Sequence, residues 1–182
     1  LNEGDESPAW IGNNEGGYTY YGYTKVIFDP SFSKAKPTST YWWFYSNDSY
    51  SLTEIQGIEY LNTSNVTNMG SMYGKCKELK QIDVSHFDTS NVTDMSFMFY
   101  DCENLTELNL RKFTTSKVAN MEGMFKRCKS IKELDLSNFD THNVTDMGGF
   151  ISYTKNLSSI NLSSFDTSNV TSLSQFMKRA EG

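Results

Sequence analysis

Three cysteines, Cys76, Cys102 and Cys128, recur at one constant step, and Thr154 and Ala180 continue the same register. Thiols in single file suggest zinc, but zinc takes four ligands that converge tetrahedrally, and a straight ladder does not converge. Stacking at strand spacing would set neighbouring thiols about 5 Å apart. Adjacent pairs would then fall within Cα range of a disulfide, yet parallel side-chain vectors suit that bond poorly. The register reads better as small apolar core residues. His86 and His142 stand at different points of the step, without a cysteine or carboxylate at ligand spacing, and read as surface residues in turns. The many serines come without a strained nucleophile motif. No catalysis, cofactor or metal is expected from these groups.

Sixteen basic against 22 acidic residues give a net charge of -6. That balance argues against nucleic acid as a partner, because phosphate binding needs a basic footprint. No apolar run approaches the roughly 18 residues of a membrane span. The chain starts at Leu1 with no signal-peptide core, so it reads as trimmed.

What positions any site is the repeat itself. Val66, Val92, Val118, Val144 and Val170 share the cysteine step, as do Met69, Met95, Met121, Met147 and Leu173. Leu61, Phe87, Phe113, Phe139 and Phe165 form a third ladder. A period of roughly 20–29 residues marks a leucine-rich array. Within one coil, Leu79, Ile82 and Val84 have LxxLxL spacing, and the alternation about Asp83 reads as a short strand. Phe87-Asp88-Thr89-Ser90-Asn91 carries turn chemistry. Val92, Met95, Met98, Phe99, Cys102 and Leu105 then follow at helical steps, predicting a short helix or 3-10 segment. The expected fold is therefore an α/β repeat, a leucine-rich-repeat right-handed solenoid. Short parallel strands would form one face and short helical or 3-10 segments the other.

Three regions follow from this reading. Residues 1–25 form an irregular lead-in or small hairpin, with Trp10 and a Gly/Tyr-rich stretch. Residues 26–51 form a degenerate, aromatic-rich amino-terminal cap, in which Pro37 to Phe44 echoes the repeat with aromatics in place of methionine. Residues 52–182 hold about five 26-residue leucine-rich repeats, the first reading one residue longer than the rest. The array reads as truncated at its carboxy-terminal end, where an uncapped edge offers a route to self-association.

The segment Phe87-Asp88-Thr89-Ser90-Asn91-Val92-Thr93-Asp94-Met95, with copies at 139–147 and 165–173, resembles the 26-residue repeat of BspA-like bacterial surface proteins. Val26 to Phe32 and Pro37 to Thr40 are similar to the amino-terminal region of gut Bacteroidetes members. Together the likeness covers about residues 26–180. Departures fall at Lys117, Ala119 and Phe150-Ile151. The resemblance implies a secreted or surface-anchored protein with adhesion to host matrix, epithelium or other bacteria as its role. It carries no catalytic residues to transfer.

The strand side supplies the candidate site. Residues alternating with the leucines point outward and form polar rows: Gln81, Glu107, Glu133 and Ser159; Asp83, Asn109, Asp135 and Asn161; Ser85, Arg111, Ser137 and Ser163. Gln81, Asp83, Glu107, Asn109, Arg111, Glu133, Asp135 and Asn161 are the expected contacts for protein or glycoprotein partners. A solvated face is the plainer reading, since Asp alternating with Asn avoids like charges. Two other readings stay open. One is a passive spacer or surface-layer element. The other is carbohydrate binding through Tyr18, Tyr20, Tyr21, Tyr23, Tyr41, Trp42, Trp43 and Tyr45. The asparagines of the repeat (Asn65, Asn91, Asn143, Asn169) read as structural amides that satisfy turn carbonyls, with Lys117 interrupting them.

Overall fold

In a computed structural model of the chain, residues 23–46 and 51–181 are described. The lead-in expected for residues 1–25 lies almost wholly outside them. Four three-residue strands occur: β1 (Lys25–Ile27), β2 (Glu54–Gln56), β3 (Glu133–Asp135) and β4 (Ser159–Asn161). β1 pairs with β2 and β3 with β4, both parallel. Short 3-10 turns cover Pro30–Lys34 and Ile58–Tyr60.

The α/β class and the leucine-rich-repeat right-handed solenoid are not what forms. Among the described residues there is no α-helix, only two small two-stranded sheets, and no closed solenoid; most of the chain is turn and loop. The predicted helical segments are where the expectation breaks. In residues 69–76, Met72, Gly74 and Cys76 donate their N–H groups three residues back, to Met69, Ser71 and Tyr73. The alternate donors Met69, Ser71, Tyr73 and Lys75 reach instead to the carbonyls of Asp94, Ser96, Met98 and Tyr100 in the next unit. A helix would spend every one of these donors internally.

The same four-bond ladder repeats along the chain. Thr40, Trp42, Phe44 and Ser46 donate to residues 68, 70, 72 and 74; the sets beginning at Met95, Met121 and Met147 do likewise to the unit beyond each. Isolated parallel bridges join Ser39, Asn68, Asp94, Asn120, Asp146 and Ser172 in sequence. The first step, Ser39 to Asn68, spans 29 residues, like the neighbouring Thr38–Thr67 pair, and every later one spans 26. The cap step is therefore three residues longer than the later steps on the turn side.

Alternating turns need left-handed residues. Two columns supply them: Ser71, Phe97, Gly123, Gly149 and Gln175, then Lys75, Asp101, Arg127, Tyr153 and Arg179, all at positive φ. Non-glycine residues bear a steric penalty there of about 1–2 kcal/mol, so the ladder must compensate. At Gly123 the absence of a side chain is also a packing need, because a Cβ would lie 2.4 Å from the Phe97 ring.

Between the turns and the strand side runs the core. Val66, Val92, Val118 and Val144, and Met69, Met95, Met121 and Met147, are fully buried columns. Tyr73, Phe99 and Phe125 stack with centroids 5.7 Å apart and planes within 8°. Thr63, Thr89, Thr115 and Thr141 form a buried polar column. Each hydroxyl donates to the carbonyl 25 residues on and accepts that same residue's N–H.

Thr115→Val keeps the shape and removes both bonds to Asp140, which are 2.9 and 2.8 Å long. A loss of about 1–3 kcal/mol is expected in urea unfolding; a change within a few tenths would show the column to be incidental. The Tyr73 hydroxyl is buried without a partner, so Tyr73→Phe should raise stability by up to about 1 kcal/mol. A clear loss would mean that the hydroxyl is satisfied after all.

Candidate binding face

On the strand side the alternation holds residue by residue. Ile82, Val84, Leu110, Leu134 and Leu136 are buried, while all eight predicted site residues are exposed. The expected continuous parallel sheet is not present. Between residues 79–85 and 105–111 one backbone bond occurs, from the Thr106 N–H to the Lys80 carbonyl at 3.2 Å. Among the described residues none joins 106–111 to 132–137. There Glu107 and Glu133 occupy equivalent positions of successive units, and like charges facing each other oppose strand pairing. Where β3 meets β4 the opposed pairs are Glu133 with Ser159 and Asp135 with Asn161, without that conflict.

The open stretch forms a groove of about 690 Å³. Gln81, Asp83, Glu107, Asn109, Arg111, Glu133 and Asp135 line it, with Ile82, Leu108 and Leu110 between them. Asn161 lies outside, on β4, where its amide donates to Asp135 at 3.4 Å. Thr106 and Lys132 line the groove as well. Strict alternation assigns both to the inward set and so hides them; the extended run is too short to hold its parity there. Four carboxylates thus face two cations, Arg111 and Lys132.

Part of this polar lattice is scaffold. Asp83, Asn109, Asp135 and Asn161 each accept the N–H two residues on, from Ser85, Arg111, Ser137 and Ser163. These Asx turns end the extended runs. The Ser85 amide and hydroxyl hold the Asp83 carboxyl below the ordinary carboxylate range. Ser137 does the same for Asp135 through its hydroxyl and amide, helped by Arg111. The Gln81 amide donates to Glu107 at 3.0 Å, tying two rows together across units.

The other candidates sort by burial. Cys76, Cys102 and Cys128 are fully buried free thiols. Each donates to a carbonyl of the preceding unit, on Phe44, Tyr73 and Phe99. Burial pushes the Cys76 thiol up to about 12, so it is not a thiolate at neutral pH. Among the described residues no group of three or more His, Cys, Asp or Glu could hold a metal. His142 is exposed as expected, yet its ring pairs with Asp140 and with the Asn143 amide. His86 departs further from the surface reading. It packs edge-on against Phe87, and both ring nitrogens are enclosed without a partner.

The amides of Asn91, Asn143 and Asn169 donate to the carbonyls of Ser64, Ser116 and His142. Lys117 keeps contact by reaching Asn91 with its ammonium. In the aromatic cap Trp43 is core, and Trp42 is stacked against both Tyr41 and Tyr45. Tyr18, Tyr20 and Tyr21 lie outside the described residues. No helix among the described residues is long and apolar enough to cross a membrane.

The turn chemistry predicts an acid limit. Asp83, Asp88, Asp135, Asp140 and Asp166 all have carboxyls held low by hydrogen bonds two residues on. A depressed folded-state value gives stability that is present above the unfolded carboxylate value and is lost as pH falls through the folded one. Asp101 and Glu122, raised by burial, act in the opposite sense but are fewer. The urea midpoint should therefore be flat above about pH 5 and fall below about pH 4. A midpoint unchanged down to pH 3 would contradict these turns.

Comparison with known proteins adds one family. The family model described as "Mycoplasma protein of unknown function, DUF285" matches residues 38–147 and again residues 106–182. The two matches overlap in the central units, as a tandem repeat allows, and together they take in every 26-residue unit and the groove. No curated protein and no solved structure matched the chain. With residues 38–182 covered, the chain belongs to the DUF285 family.

Proposed function

We propose that this chain is a recognition module displayed outside the cell or on its surface. It binds protein or glycoprotein partners of host matrix, epithelium or other bacteria through the strand-side groove. One observation carries the reading. Seven exposed polar residues, contributed by three successive units, line a single groove on a scaffold bonded at every unit boundary. Such preorganisation lowers the ordering cost of association. The likeness of 87–95, 139–147 and 165–173 to BspA-like surface proteins supports the location and the adhesive role. The module acts by contact, without chemistry of its own, and needs no cofactor.

A stiff spacer is the second reading, and the uninterrupted turn ladder favours it. Sugar stacking on the aromatic cap has less support, because Trp42 is already stacked against two tyrosines.

The deciding experiment immobilises the chain and presents a panel of host matrix proteins, mucins and bacterial cells. A variant carrying Asp83→Lys, Glu107→Lys and Asp135→Lys runs beside it. Binding that falls by about tenfold or more in the variant supports the groove. Binding that persists unchanged removes the groove as the site, and failure of both chains to bind leaves the spacer.

A further inference from the structure

The turn side carries a charge pattern opposite to that of the whole chain. Residues 123–128, 149–154 and 175–180 are equivalent stretches of three successive units, and none contains Asp or Glu. They contribute Lys126, Arg127, Lys178 and Arg179, in a chain of net charge -6. Two further cations border the stripe. Lys129 is committed to Glu103 at 2.6 Å, and Lys155 shares a cleft with Glu181. Asp101, Glu103 and Glu122 lie at the amino-terminal side of the stripe. Asp101 is buried and turned toward Lys77 at 3.8 Å. Among the described residues, none of Lys126, Arg127, Lys178 and Arg179 enters an ion pair.

The two arginines are held rather than loose. Both lie over the ring of Tyr153, with guanidinium carbons 6.0 Å (Arg127) and 5.7 Å (Arg179) from its centroid. Contact with an aromatic ring fixes a guanidinium plane while leaving its N–H donors available, and both arginines are exposed. Units repeat at about 4.8 Å, so residues 127 and 179, two units apart, stand about 10 Å from each other along the stack.

That arrangement selects a class of ligand. A guanidinium fork matches a carboxylate or a sulfate through paired N–H donors. Two forks at a fixed separation, with Lys126 and Lys178 beside them, suit a polymer that carries anionic groups at intervals. Of residues 149–154, which lie between the two cation pairs, only Tyr153 reaches the surface even in part. The strip between the pairs therefore lacks the apolar centre on which a protein partner would anchor. A long nucleic acid would run on from the stripe into the acidic remainder of the chain.

We infer that this turn-side stripe binds a polysaccharide bearing carboxylate or sulfate groups, with Arg127 and Arg179 each taking one anionic group and Lys126 and Lys178 adding charge. The site is separate from the strand-side groove, and its test does not depend on the groove.

The test follows the anisotropy of a fluorescein-labelled heparin octasaccharide titrated with the full chain. A neutral dextran fragment, a short DNA duplex and an octa-glutamate peptide run beside it. Three double variants accompany the parent: Arg127→Gln with Arg179→Gln, Lys126→Gln with Lys178→Gln, and the remote pair Lys36→Gln with Lys112→Gln. All three lose the same charge. The lysine pair leaves the arginines on Tyr153 untouched, so it reads the site even if the arginine variant loses stability.

Binding of the octasaccharide should weaken about tenfold or more in the arginine variant and about threefold or more in the lysine variant. It should change less than about twofold in the remote variant, and the dextran should not bind. Equal weakening in all three variants would overturn the inference, because cations anywhere on the chain would then serve. Tighter binding of the duplex or of the octa-glutamate peptide would refute the polysaccharide as the partner class. Absence of binding to the octasaccharide would remove the site altogether.

Discussion

The structure depends on a single pattern of donation: alternate N–H groups of each turn segment go forward to the next unit, and the others go three residues back. Adjacent units bonded in this way sit at strand spacing, about 4.8 Å. An α-helix is about 10 Å across with its side chains and keeps its own donors. It cannot be repeated at that spacing. The chain therefore flattens into successive turns, and the two left-handed columns are the geometric condition for doing so. The methionine and aromatic columns, the single file of thiols and the Asx turns at Asp94, Asn120 and Asp146 all follow from identical segments lying one on another.

How much of this was legible in the sequence depended on which physical signal was involved. Burial was legible, because a side chain repeated at the same step must meet its copy. Val66, Met69, Phe87 and Cys76 are in the core where the ladders place them. The helix was not legible as an error, because steps of three and four between buried residues describe a run of three-residue-back turns equally well. The residues that break the helix gave little warning. Their columns read Ser, Phe, Gly, Gly, Gln and Lys, Asp, Arg, Tyr, Arg, with glycine at only two of ten places. Tertiary bonding there overrides local preference.

The candidate site was legible as a set of exposed residues, but not as a groove. Alternation about Ile82 and Leu134 put the polar residues outside. Nothing in it could report that the strand side has a single ladder bond between residues 79–85 and 105–111 and none between 106–111 and 132–137. Nor could it separate display from support, because Asp83 and Asp135 turn the chain with one oxygen while the groove sees the rest of the carboxylate. Glu107 and Glu133 carry no such duty to the backbone. Lys132 escaped notice for the opposite reason, since it sits at a position whose parity belongs to the core.

The forward ladder also has a direction. On the turn side of every unit boundary four N–H groups point one way, and only one or two, such as Thr145 to Ala119 or Thr93 and Asp94 to Thr67, point back. The turn segment of each unit thus has a donor-rich side and an acceptor-rich side, and all units share the same orientation. If one whole unit is lost or duplicated, donors still meet acceptors and every column of the core stays continuous. A change of any other length keeps the columns in phase only where the extra residues loop out between ladder and strand, as in the 29-residue first step. Genes of this construction can lengthen or shorten in whole 26-residue increments while the fold tolerates the change.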